Sequence, residues 1–348
     1  MIYKIIKNDL LKKKMIMGAV FIFIMLSALL VAGGSKMLID LNNSIVALFE
    51  KSSTAHFIQS HSGNLKQEEI LNWSQENKNV KNYHIAEMIN IDGSKIFFND
   101  GLSQSDTVMD LNFVKQNQDF DYLLNLDNQK IEVNDGEIAV PIYYLQRLDL
   151  KLGDSLKVEA AAGQYNFKIT AFVRDVQMNP SIISSKRFVV SANDFEKLRS
   201  LGEKEYQIAF QLNNLNQLAQ FRDQYSRSEL PKKGPTIDYQ LLKMANAVTD
   251  GLVAAVIILI SLLLNLIALL CLRFIILLTL EEDYREIGVM KAIGIKSKMI
   301  KKIYFYKYLL LALTASLLGY ILSLAFSRIF AKNIALYSGR PPQSLSQI

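Results

Sequence analysis

The 348-residue sequence has one cysteine, one tryptophan, six prolines and three histidines. The lone thiol, Cys271, lies inside an uncharged apolar run, where it reads as a small apolar residue. No disulfide can therefore staple the cysteine-free stretch of residues 35–248. That stretch exceeds 200 residues and is long enough to hold by packing alone. His56, His61 and His84 have no metal-ligand spacing. There is no G-x-x-x-x-G-K-[ST], no G-x-G-x-x-G and no G-x-S-x-G, so phosphate-cradling loops, dinucleotide fingerprints and the nucleophile elbow have no sequence support. The acidic residues are scattered and read as solvated surface. A non-catalytic chain is expected, with no cofactor of its own.

What the sequence does have is apolar residues in blocks. Half of it is hydrophobic. Three runs reach the roughly 18–20 residues that cross a ~30 Å hydrocarbon core at ~1.5 Å per helical residue. They cover residues 15–34, 252–272 (continuing past Arg273 to Leu280) and 308–327. The first follows a basic start, "MIYKIIKNDLLKKK", but is too long for a signal-peptide core and has no A-x-A site, so it reads as a retained anchor.

Charge orients the spans. Lys4, Lys7, Lys12, Lys13 and Lys14 precede the first run, Arg273 marks the end of the second, and Lys291, Lys296, Lys298, Lys301, Lys302 and Lys307 lie between the second and third. Short Lys/Arg-rich flanks stay in the cytoplasm. The expected layout is a cytoplasmic segment 1–14, spans 15–34, 249–280 and 308–327, an extracytoplasmic domain 35–248, a cytoplasmic segment 281–307 and an extracytoplasmic tail 328–348. Residues 35–249 hold 27 acidic and 23 basic groups, so the net +6 comes from the rest of the chain. That basicity belongs beside anionic membrane lipids and not on a nucleic acid. Arg273 and Lys307 are the ionisable groups near the spans, both expected to snorkel to the interface, so no ion path is indicated.

Within the outer domain, residues 35–49 extend the first helix as a stalk. A strand at 54–60, a helix at 66–76 and a strand at 80–91 form an early βαβ layer. Asp92-Gly93 suggests a hairpin turn. Residues 136–198 read as a β-rich module, with a short helix from Pro141, a turn at Gly153-Asp154 and a helix capped near Ser191 or Asn193. A strand at 206–212, a helix at 215–225 and a strand at 235–239 close the domain. The two βαβ pieces, 54–91 and 205–239, are expected to share one sheet with the β module inserted between them. The fold class is thus a membrane protein, a three-helix transmembrane bundle with an α+β extracytoplasmic domain between helices 1 and 2.

The segment "LEEDYREIGVMKAIGIKSKMIKKI" at 280–303 joins the second and third runs. Glu281, Glu282, Asp283 and Glu286 suit the positive end of a short helix, Lys291 its negative end, Gly294 its termination and Ser297 the cap of the next. Ile287, Met290 and Gly294 form one row, while Val289, Ala292 and Ile293 occupy other sides. So short a helix, apolar on several sides, needs a groove. A partner protein is the expected supplier, and the competing reading is an amphipathic loop lying on lipid headgroups, with the chain a membrane-anchored binding protein.

"REIGVMKAIG" ahead of a membrane helix resembles the cytoplasmic signature of the FtsX-like permease family, the MacB-type ABC transporter subunits. "EIAVPIYYLQRLDLKLGDSLKV" and "FKITAFVRDV" resemble the β module of that family's outer domain. The resemblance implies that the short helix is a coupling helix docked on a separate ABC ATPase subunit, which holds ATP and Mg. Ile287, Met290 and Ile293 would fill the ATPase groove, with Arg285, Glu286 and Lys291 at its rim and Gly294 at its end. It implies mechanotransmission: ATPase closure drives the outer domain, moving a peptide or lipophilic substrate. The alternative is a signalling regulator that activates an extracellular cell-wall hydrolase or senses a ligand, with an extracytoplasmic protein partner. Family members of this layout have a fourth membrane helix. A permease truncated or split after its third helix is therefore expected, completed by a second copy or a companion chain.

Overall fold

The computed structural model describes residues 14–99, 101–160, 163–180 and 182–339. Lys4, Lys7, Lys12 and Lys13, used above for orientation, lie outside them. The elements are α1 (Lys14–Lys51), β1 (Phe57–Ser62), α2 (Gln67–Glu76), β2 (Val80–Asn90), β3 (Ile96–Phe98), β4 (Leu102–Ser103), β5 (Asp110–Val114), β6 (Glu137–Pro141), α3 (Ile142–Arg147), β7 (Ser155–Ala160), β8 (Gly163–Val173), β9 (Ser185–Val190), α4 (Ala192–Leu198), β10 (Glu203–Leu212), α5 (Leu218–Arg227), β11 (Thr236–Asp238), α6 (Tyr239–Glu282), α7 (Tyr284–Ala292) and α8 (Ser297–Ser338). Contacts group them into two units, residues 1–40 with 250–333 and residues 41–249 with 334–348.

The first unit holds the apolar parts of α1, α6 and α8, each long and apolar enough to cross a membrane. The chain is a membrane protein. In lipid there is no hydrophobic drive between apolar helices, so small residues that admit close backbone contact must hold them together. Gly319 does this: a Cβ there would lie 2.3 Å from the Met25 carbonyl oxygen and 2.9 Å from Ala28 Cβ. On the other side of α1, a Cβ on Gly34 would meet Ile258 at 3.0 Å. The buried Ser27 hydroxyl donates to the Ser261 carbonyl at 3.1 Å. Met17, Val20, Ile275, Tyr308 and Leu311 form a common apolar cluster. Lys307, expected to snorkel, is instead buried, its Nζ 5.5 Å from the Tyr308 ring centroid. Arg273 is exposed as expected.

In the second unit β1 and β2 run parallel with β10 between them, and β10 and β11 run parallel with β1 between them. These are two interleaved split βαβ units, so the early and late pieces share one sheet. Their helices cover a core of Phe57, Ile70, Ile208, Phe210, Phe221 and Tyr225, against which Trp73 packs. The insertion between β2 and β10 continues the sheet in the order β5-β9-β6-β8-β7-β3-β4. It begins well before residue 136. The hairpin expected at Asp92-Gly93 does not form: Asp92 caps a 3₁₀ turn by accepting from Ser94 N at 2.8 Å, and β3 pairs with β7. Long-range pairing overrides the local turn signal. β5, parallel to β9, had no counterpart in the sequence reading. Its five residues carry too little pattern to stand out from a loop.

Helix ends also moved. α6 starts at Tyr239, ten residues before the expected 249, because the Asp238 carboxylate accepts from Leu241 N at 2.9 Å and caps it. α8 begins at Ser297, which is therefore its first helical residue instead of its cap, and runs to Ser338. Residues 328–338 of the expected tail thus belong to α8.

Candidate functional site

The joint between α6 and α8 is built residue by residue. α6 is held through Asp283 N, which donates to the Thr279 carbonyl at 2.9 Å. A one-residue break at Asp283 then starts α7. The Tyr304 hydroxyl donates to Asp283 Oδ2 at 2.8 Å, and Tyr308 Oη lies 3.3 Å from Thr279 Oγ1, so both helices fix the entry to α7. At the exit Gly294 takes φ +90, Gly294 N donates to Lys291 O and Ile295 N to Met290 O, each at 3.0 Å. That double bond pair is a Schellman cap, and the left-handed position explains why glycine sits there.

α7 presents its apolar residues unevenly. Ile287 and Met290 are half-buried, whereas Tyr284, Val289 and Ile293 are 78%, 63% and 72% exposed. Arg285, Lys291 and Gly294 are exposed, and α7 includes Glu286. Val289 and Ile293, four residues apart, share a face. Tyr284 and Val289 were not singled out from the sequence. The signal was available, since Val289 is one helical turn from Ile293.

A second site, in the unit of residues 41–249 and 334–348, was missed altogether. The segment 174–180, "RDVQMNP", is buried throughout. Loops rarely sit inside, because their backbone groups need partners; here Leu124, Lys186, Asp175 and one residue of α6 supply them, and side chains of the segment bond in turn to the end of α8. From α6, Asn246 Nδ2 donates to Val176 O at 2.7 Å. To α8, Arg174 Nε and Nη2 donate to Leu336 O at 2.8 Å and Ala335 O at 2.6 Å, and Asn179 Nδ2 donates to Tyr337 O at 2.5 Å. The Arg174 cation meets the negative end of that helix. Arg187 Nε and Nη2 donate to Asp175 at 2.6 and 2.5 Å, and Arg187 Nη1 lies 3.7 Å from Asp121 Oδ2. Gln177 Nε2 donates to the same Asp121 oxygen at 2.5 Å. Asp121 N donates to Ser53 O at 2.9 Å and Tyr122 N to Ser52 O at 2.7 Å, gripping the chain as it leaves α1.

Beside this hub the Lys186 ammonium donates to the carbonyls of Met178, Pro180 and Ile183 at 2.7–3.0 Å; burial pushes it down to about 8, opposed by Asp175. His84 packs against Phe120, the ring centroids 4.4 Å apart and the planes tilted by 50°, and burial holds it below its ordinary value. Among the described residues no group of three His, Cys, Asp or Glu side chains lies together as metal ligands do.

Residues 258–346 match the model of the FtsX-like permease C-terminal family, a span that takes in the end of α6, α7 and α8. The resemblance seen in "REIGVMKAIG" therefore holds for the C-terminal quarter of the chain. A solved domain described as belonging to a permease protein from Porphyromonas gingivalis is similar at 10% identity and a TM-score of 0.30, covering 51% of this chain and 86% of that one. No curated protein matches the chain.

Proposed function

From a chain whose C-terminal quarter is that of an FtsX-like permease, we propose a membrane subunit that converts ATP hydrolysis on a separate ABC ATPase into motion of its extracytoplasmic domain. α7 is the docking element. The observation that carries this reading is the short capped helix between two membrane-spanning helices, with Tyr284, Val289 and Ile293 open to solvent. Apolar side chains at the centre of an interface give most of its affinity, and charged residues form the rim. Ile287 and Met290 support the helix from beneath, while Arg285, Glu286 and Lys291 serve the rim. ATP and Mg belong to the partner chain.

The hub at 174–180 receives the motion, because the ends of α1, α6 and α8 all hydrogen-bond into or beside it. The N-terminus and α7 lie in the cytoplasm and the sheet domain outside, following the lysines around α7. A second permease copy or a companion permease chain assembles with it, and a peptide or lipophilic substrate is moved at the outer face. The spans carry no acidic residue from Gly251 to Leu280, which disfavours a charged-substrate path. A signalling output shares every step up to the hub. It is favoured by Val108, Leu152 and Ile182, which are 90%, 64% and 62% exposed and suit an extracytoplasmic protein partner such as a cell-wall hydrolase. Co-purification with the ATPase subunit tests the docking: Val289→Asp with Ile293→Asp abolishes it. Unchanged association in a folded variant refutes it.

A further inference from the structure

A groove of about 530 Å³ runs between α6 and α8, walled by Leu272, Ile276 and Leu280 on one side and Ile300, Tyr304, Tyr308 and Ala312 on the other. Its lining carries one charged side chain, Lys301, near one end. Eleven residues separate Lys301 from Ala312, or about 16 Å of helix at ~1.5 Å per residue, close to half of a ~30 Å hydrocarbon core. The groove is therefore one leaflet deep, apolar along its length and cationic at the end where a headgroup would sit.

The charge around that end needs an anion. The first turn of α8 carries no acidic residue to complement its positive helix end. Lys296, Lys298, Lys301 and Lys302 crowd it, and all four are exposed. On the other side of the joint, Asp283 accepts from Tyr304, and Glu281 and Glu282 end α6. We infer that this groove holds one anionic phospholipid, its phosphate at Lys301 and the first turn of α8, one acyl chain lying down to Ala312. A helix of a second copy would fill the apolar part but would leave the lysines unanswered. The inference needs only the membrane-spanning helices, and stands or falls independently of ATPase docking.

The test is native mass spectrometry of the full chain, delipidated in neutral detergent and offered phosphatidylglycerol and phosphatidylcholine in equal amounts. One phosphatidylglycerol per chain is expected, preferred about fivefold or more, the effect of one lysine near an anionic surface. Lys301→Glu removes the preference, Lys301→Arg keeps it, and Ala312→Trp lowers retention of both lipids. A monodisperse size-exclusion peak and unchanged helical circular dichroism confirm that Lys301→Glu is folded. Equal retention of the two lipids, an unchanged preference in Lys301→Glu, or a dimer that excludes lipid from the groove overturns the inference.

Discussion

Replacing Arg187 by Met tests whether the hub is held by its buried charges. The Arg187, Asp175 and Asp121 side chains are 3%, 5% and 3% exposed, so water cannot compensate any of them. Methionine fills most of the volume but leaves the Asp175 carboxylate without the donors at 2.5 and 2.6 Å and Asp121 without its cation at 3.7 Å. Breaking a buried pair from one side costs about 3–5 kcal/mol. For a unit of this size each kcal/mol shifts Tm by about 2–4 °C, so a fall of roughly 6–20 °C is expected. Trp73 is the chain's single tryptophan and packs on Phe210, Phe221 and Tyr225 of the same unit. Fluorescence-detected melting of the full chain therefore reads this unit selectively. Adding Asp175→Leu recovers part of the loss, since an apolar pair replaces the stranded charge. A Tm within about 3 °C of the parent for Arg187→Met refutes the assignment of the network as the hub's anchor.

Gly319→Leu forces side-chain atoms into the α1 backbone at Met25 and is expected to cost at least the ~1–3 kcal/mol of overpacking, lowering folded yield. Gly18→Leu, with nothing within 4 Å of its Cβ position, is the harmless control, read by size-exclusion chromatography. The histidines set an acid limit. Burial holds folded His84 and His56 below 6.5, so between 6.5 and their folded values the unfolded chain binds more protons and stability falls as pH drops. Each contributes at most about 1.4 kcal/mol per pH unit. The Tm measured at pH 7.5 and 5.5 should therefore fall less in His84→Gln than in the parent.

Elements with strong local patterns were readable in the sequence. The three apolar runs, the β1-α2-β2 piece, the turn at Gly153 and the Ser191 cap all follow from periodicity and capping chemistry. So does the Gly294 stop, because a left-handed position selects glycine whatever the tertiary fold. The misses are non-local. β3 turns away from β2 because Leu156 and Val158 offer it a better edge, and Asp92-Gly93 cannot announce that. The first three residues of 174–180 read as the end of a β-module stretch, and nothing local announces the burial of the segment, which depends on the end of a helix some 160 residues further along the chain and on Arg187 in another strand. At the joint Ile293 was singled out and Tyr284 and Val289 were not, although Val289 lies one helical turn from Ile293; how far each is exposed depends on how Tyr304 and Asp283 set the angle of α7. Lys307 failed for a related reason: snorkelling assumes a lipid-facing side chain, and its helix faces neighbours.

The central claim is that a nucleotide-driven partner grips α7. A photo-crosslinking amino acid at Ile293, activated in membranes containing the whole complex, reads this directly. The account predicts a covalent adduct between this chain and the ATPase subunit, reduced when Val289 is changed to Asp. Adducts with phospholipid alone would contradict it.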